Sequence, residues 1–175
     1  MSARIEEFIS TDAIRLRVEA LATEIRDAVD TESLLVVCVL KGSMVFFADL
    51  VRALGGDTRF DYIAVSSYGE GQESSGHVRL IADLTQPIQG KDVLIVEDIV
   101  DTGRTIRYLH EMLKARTPKS LRIVTLLDKP SRRVVDVNVD HVGFVIPDKF
   151  VVGYGLDFGE KYRALPFIAQ LFPDE

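Results

Sequence analysis

Residues 34–40 read LLVVCVL, seven apolar residues without a polar position among them. A strand with one wet face would alternate polar and apolar side chains. An unbroken, valine-rich run of this length suits a strand covered on both faces, which requires helices on either side of a sheet. The flanking sequence supplies helices. Ser10 or Thr11 can cap a helix in which Ile14, Val18, Leu21, Ile25 and Val29 recur at helical spacing. Ser43 can cap a second, SMVFFADLVRAL, with Met44, Phe47, Leu50 and Leu54 as its expected buried stripe and Gly55-Gly56-Asp57 as its stop. Further strands are expected at 60–67, 78–82, 93–96, 121–127 and 142–146, and a helix at 105–115. Pro87 and Gly90 break the chain between two of these strands. A helical N-terminus and an irregular C-terminal tail are expected at the edges. Strands alternating with helices give an α/β fold, a mainly parallel twisted sheet flanked by helices. The 175 residues show no repeat or linker and fit one domain.

Composition narrows the function. Lys and Arg number 21 against 27 Asp and Glu, a net charge of −6, which argues against sequence-independent nucleic-acid binding. One cysteine, Cys38, allows no internal disulfide or multi-cysteine zinc site, and its place in the apolar run marks it as a packing residue. His77, His110 and His141 lack metal-ligand spacing. The opening MSARIEEF has no signal-peptide core, and seven apolar residues cannot span a bilayer, so the expectation is a cytoplasmic protein with no membrane contact.

The segment 93–105, VLIVEDIVDTGRT, carries the chemistry. An apolar strand ends in adjacent acids, Glu97 and Asp98. Asp101, Thr102, Gly103, Arg104 and Thr105 follow, and then a helix. The loop therefore lies at the carboxyl end of a parallel strand, where open α/β sheets bind ligands. Gly103 permits close backbone approach, the threonines add hydroxyls, and a helix start adds free N–H groups, so the loop suits a phosphate. Acids beside an anion cradle need another partner, either the vicinal hydroxyls of a ribose or a divalent cation. Taken singly, Asp98 and Asp101 read equally well as turn and helix caps. No GxxxxGK[ST] motif occurs.

This thirteen-residue pattern resembles the phosphoribosyl diphosphate (PRPP) motif of the type I phosphoribosyltransferases. Leu40-Lys41-Gly42, Ser67-Tyr68, Lys129, IPDKFVVGYGLD at 146–157 and Arg163 make the chain similar to that family's hypoxanthine-guanine branch, from about Leu34 to Arg163. The resemblance implies a core of about 34–145 and a small hood built from about 1–12 and 146–175. It implies transfer of the phosphoribosyl group of PRPP to a 6-oxopurine, giving a nucleoside monophosphate and pyrophosphate, with Mg²⁺ as cofactor. It also implies a homodimer or homotetramer.

The implied roles are specific. Glu97 and Asp98 would grip the ribose hydroxyls, Asp101 would be the general base facing purine N7, and Thr102, Gly103, Arg104 and Thr105 would cradle the 5′-phosphate. Many relatives have lysine at Arg104. Lys41, Gly42 and Arg163 would contact pyrophosphate, and in this family the bond before the lysine can be cis. Phe150 would stack on the purine and Val151 would offer its backbone. Lys129 and Lys149 are candidate donors, Lys149 being the expected O6 partner. Asp157, with Glu97 and Asp98, would help hold Mg²⁺, partly through water or ribose hydroxyls. Ser67 and Tyr68 open a Gly/Ser/Glu-rich loop that resembles the family's lid and is expected to close on a filled site. Two other readings stand beside this one. A PRPP-sensing regulator could use Arg104, Arg107, Lys114, Arg116, Lys119 and Arg122 as a basic face for nucleic acid. A related enzyme could take xanthine or a pyrimidine.

Overall fold

The computed structural model describes residues 4–68 and 77–172. Strand β1 (Arg4–Ile9) leads into helix α1 (Thr11–Ala28), then β2 (Leu34–Leu40), α2 (Met44–Leu54), β3 (Arg59–Tyr68), β4 (His77–Ala82), β5 (Asp92–Val100) and α3 (Arg104–Lys114). Next come β6 (Ser120–Asp128), a 3-10 turn at Pro130–Arg132, β7 (His141–Val145), β8 (Val151–Val152) and β9 (Ile168–Phe172).

The larger sheet runs β4-β3-β2-β5-β6-β7, parallel throughout except for the antiparallel β3–β4 pair. Chain order reverses between β2 and β5, so a crevice opens at the carboxyl ends of these two strands. Residues 34–39 are all buried. Leu34 and Val36 face α1 and α2, while Leu35, Val37 and Val39 face α3. The two cores thus lie on opposite faces of one strand, as the unbroken apolar run requires. Cys38 is 2% exposed, and burial pushes its thiol up to about 11, so it is an inert packing residue.

A second sheet, β1-β9-β8, is antiparallel and joins the two ends of the chain. Its inner residues Val152, Ala169 and Leu171 pack with Ile5, Tyr162 and Phe167. This sheet corrects the sequence reading at both termini: residues 4–9, which it gave no strand, form β1 ahead of the expected helix, and the C-terminal tail, expected to be irregular, carries two strands. In α2 the buried residues are Phe46, Leu50 and Leu54, while Met44 is 52% exposed and Phe47 is half-buried. Ser43 does not cap α2; its hydroxyl donates to the Val39 carbonyl at 2.6 Å, tying the loop to β2. Ser10 does cap α1, accepting from Ala13 N–H at 3.2 Å.

Candidate active site

The candidate phosphate cradle lies where β5 passes into α3. Gly103 is the N-cap residue in the left-handed region (φ 83°) and offers no side chain to the first turn. Apart from the Arg104 N–H, which makes a long contact to Thr102 Oγ1, the first-turn N–H groups of this eleven-residue helix are left for an anion. A cavity of ≈ 170 Å³ opens there, lined by Glu97, Asp101, Thr102, Gly103, Thr105 and Ile106 among others. Glycine is required on its other side too, because a Cβ at 103 would stand 2.8 Å from the Val135 carbonyl oxygen. Arg104 opens α3 and is exposed; its N–H lies 3.4 Å from Thr102 Oγ1.

The loop is braced from behind. The Thr102 carbonyl accepts from Val134 and Val135 N–H at 3.1 and 3.2 Å. Arg133 Nη1 donates to the Asp101 carbonyl at 2.7 Å while its Nη2 pairs with Asp128. Arg133 thus fixes the backbone that carries Asp101. The sequence reading did not single it out, since its role depends on β6 running beside β5.

Glu97 and Asp98 follow Val96, the last β5 residue paired with β2, while β5 stays paired with β6 as far as Val100. Glu97 is 6% exposed, and burial together with the charge of Asp98 holds its carboxyl well above the usual range. Burial raises Asp98 as well, offset by Glu97, by the Ile99 N–H at 2.7 Å and by the charge of Arg163. Two adjacent desolvated carboxylates call for hydroxyl donors or a cation. Among the described residues no three His, Cys, Asp or Glu side chains converge as a metal cage. An oxygen-only pair that leaves most coordination positions to water and substrate fits Mg²⁺, which dehydrates reluctantly.

The pyrophosphate candidates meet the acids directly. The Leu40–Lys41 peptide is cis. Gly42 lies so close to Asp98 that a Cβ would overlap the carboxylate, and a Cβ at Gly155 (φ 100°) would overlap the Gly42 carbonyl. Gly155 therefore lies directly on the 41–42 loop. Arg163 Nη1 donates to the Gly155 carbonyl at 2.8 Å, its Nη2 pairs with Asp157 Oδ1 at 2.9 Å, and its buried Nε has no partner. Tyr154, left-handed at φ 49°, donates its hydroxyl to Asp49 on α2 and so clamps this segment to the core; burial and Asp49 raise the phenol far above its usual range.

The purine candidates form a third group. Phe150 is 49% exposed and meets Phe158 edge to face at 5.5 Å, an aromatic wall whose second member the sequence reading missed. Val151 is buried in β8. The two lysines part company. Lys129 is 7% exposed; its Nζ donates to the Lys149 carbonyl at 2.6 Å and lies 3.8 Å from Asp148 Oδ1. The Lys149 ammonium instead lies 4.5 Å from the centre of the Phe8 ring on β1. Ser67 and Tyr68 end β3. Of the expected lid, 67–77, residues 69–76 lie outside the described residues.

Comparison with known proteins defines the class. Residues 5–159 match the phosphoribosyl transferase domain family, and the chain belongs to it. Within that family it is 47% identical over 165 residues to the hypoxanthine-guanine phosphoribosyltransferase of Bacillus subtilis, covering 94% of this chain and 92% of that one. It also superposes on the crystal structure of a hypoxanthine-guanine phosphoribosyltransferase from Bacillus anthracis, with a HEPES molecule in its active site, at a TM-score of 0.91 and 45% identity, covering 98% of this chain and all of that one. The chain is accordingly a member of the hypoxanthine(-guanine) phosphoribosyltransferases. It is 46% identical over 95% of its length to the bifunctional protein TilS/HprT of Listeria monocytogenes, and spans about a quarter (26%) of that relative.

Proposed function

We propose that this chain is a purine-salvage enzyme that transfers the phosphoribosyl group of PRPP to hypoxanthine or guanine, giving IMP or GMP and pyrophosphate. The observation that carries this reading is the uncapped start of α3 beside a cavity that also takes in Glu97 and Asp101. Phosphate cradle, ribose acids and base then share one loop.

As pyrophosphate leaves, C1′ gains oxocarbenium-like positive charge. Catalysis requires the leaving group held, the purine nitrogen in line and its proton removed. The N–H groups of 103–105 hold the 5′-phosphate. Glu97 and Asp98 take the 2′- and 3′-hydroxyls, and Lys41, Gly42 and Arg163 take the diphosphate. Asp101 accepts the proton from N7. Glu97, Asp98 and, through water, Asp157 would hold Mg²⁺, which would supply charge compensation for the departing diphosphate. Phe150 stacks on the purine, Phe158 supports that ring, and Val151 offers backbone groups to the ring edge. We assign O6 to Lys129 ahead of Lys149, because its ammonium lies against the backbone of the purine segment while that of Lys149 lies over Phe8.

The small β1-β9-β8 sheet acts as a hood over the crevice, and Ser67 and Tyr68 lead into the lid. Paired cations argue against a nucleic-acid face: Arg107 pairs with Glu111, Arg116 with Asp83 through two 2.8 Å bonds, and Lys119 with Asp92. Exposed Phe60, Tyr62 and Ile81 on β3 and β4 support a homodimer or homotetramer. No helix among the described residues is long and apolar enough to cross a membrane.

The test is Asp101→Asn assayed with PRPP, Mg²⁺ and hypoxanthine. Loss of a positioned base should lower kcat by ~10²–10⁴-fold with little change in PRPP affinity, since the phosphate and ribose contacts lie elsewhere. Near-normal kcat in the folded variant removes Asp101 from the role.

A further inference from the structure

Between Leu156 and Arg163 the chain reverses in a tight turn. Phe158 and Lys161 exchange backbone hydrogen bonds, each 3.2 Å. The two residues between them, Gly159 and Glu160, are both left-handed, with φ of 59° and 62°. Two left-handed central residues make a type I′ turn, which favours glycine, asparagine or aspartate. Gly159 obeys that preference and Glu160 does not. Its backbone is held there by an N–H bond to Asp157 Oδ2 at 2.8 Å.

The side chain gives this glutamate a use that local turn chemistry does not. Oε2 lies 3.3 Å from Lys41 Nζ, and Oε1 lies 3.4 Å from Arg163 Nη2. One carboxylate thus joins two cations that come from different parts of the chain. Among the described residues it is the one carboxylate that pairs with Lys41. Arg163 is also held by Asp157 and by the Gly155 carbonyl, so it keeps its place when Glu160 departs. The Lys41 and Glu160 side chains are 67% and 68% exposed, and a pair that wet is readily exchanged for a stronger anion.

We propose that Glu160 is an internal counter-ion of the pyrophosphate subsite: it occupies Lys41 and Arg163 in the free protein and is displaced by the diphosphate group of PRPP or by free pyrophosphate. This rests on the reading of Lys41 and Arg163 as diphosphate ligands. A site that spends part of its time filled by its own carboxylate binds an outside anion more weakly in proportion. Glu160 therefore sets the affinity at this end of the substrate, and its return to the cations assists release of pyrophosphate.

The test is calorimetric titration of magnesium pyrophosphate into the full chain for four proteins: the parent, Glu160→Gln, Glu160→Asn and Lys41→Met. Removing an exposed competing pair should tighten pyrophosphate by about 2–5-fold in both Glu160 variants. The KM for PRPP should fall in parallel. Asparagine also suits the left-handed backbone, so Glu160→Asn guards against a result caused by a damaged turn. Lys41→Met should weaken binding. Unchanged or weaker binding in both Glu160 variants, with Lys41→Met weakened, overturns the proposal and makes Glu160 an organiser of the cations. Unchanged binding in Lys41→Met overturns the pyrophosphate subsite itself, and the counter-ion with it.

Discussion

Gly103→Ala probes the phosphate cradle with a single methyl group. At φ 83° an alanine pays a left-handed penalty of roughly 1–2 kcal/mol. The added Cβ would also stand 2.8 Å from the Val135 carbonyl oxygen, 3.1 Å from Arg133 Cδ and 3.2 Å from Val135 Cγ2. A carbonyl cannot swing aside as a flexible side chain does, and the 133–135 segment is tied to the Thr102 carbonyl. Relieving such an overlap costs ~1–3 kcal/mol. The sum, ~2–5 kcal/mol, lowers Tm by ~5–15 °C in a domain of this size. Gly90→Ala supplies the control: its φ is 71°, but nothing lies within 4 Å of a Cβ there, so it carries the left-handed penalty alone. Thermal unfolding of both variants separates the terms. The same displacement shifts the N–H groups of α3, so kcat/KM for PRPP should fall by ~10–100-fold in Gly103→Ala and stay near normal in Gly90→Ala. A Gly103→Ala protein as stable as Gly90→Ala, with kcat/KM for PRPP within ~2-fold of the parent, would refute the argument.

Glu97→Gln should change the pH dependence of stability. The folded carboxyl is raised, so the folded state holds its proton more tightly, and stability is fully present below the unfolded value and lost as pH rises through the folded one. Denaturant unfolding from pH 4 upward should therefore show the parent losing more stability with rising pH than Glu97→Gln, which keeps only the Asp98 contribution; parallel curves for the two would contradict the burial argument. Lys129→Met should raise the KM for hypoxanthine about 10–100-fold, as loss of a charged hydrogen bond does, with the KM for PRPP little changed, whereas Lys149→Met should do neither. Steady-state kinetics with each substrate varied decides between the two lysines.

The strands were legible where burial is two-sided. At Leu34–Val39 and in the first half of β5 every residue is buried, so apolar runs mark them without ambiguity. The motif at 97–105 was legible because loop chemistry is local. Helix α2 shows where pattern fails: Met44, Val45, Phe46 and Phe47 are contiguous and apolar, so the sequence cannot set the phase of the buried stripe, and packing against α1 selects Phe46 over Met44. Strand β1 was not legible because its partner β9 lies at the far end of the chain. Arg133, Phe158 and Glu160 stayed hidden for the same reason: each acts through a neighbour supplied by another turn or strand, and none belongs to a local pattern.

The most direct measurement offers hypoxanthine, guanine, xanthine and adenine in parallel to the protein with PRPP and Mg²⁺, and follows nucleoside monophosphate and pyrophosphate together. A lysine donor to O6 cannot accept a hydrogen bond from the 6-amino group of adenine, and a site built around a polar partner rejects the mismatched analogue by up to ~10⁴–10⁵-fold. Hypoxanthine and guanine should give IMP and GMP with one pyrophosphate each, while adenine stays close to background. Adenine turnover comparable to that of hypoxanthine, or no turnover of any 6-oxopurine, would contradict the account.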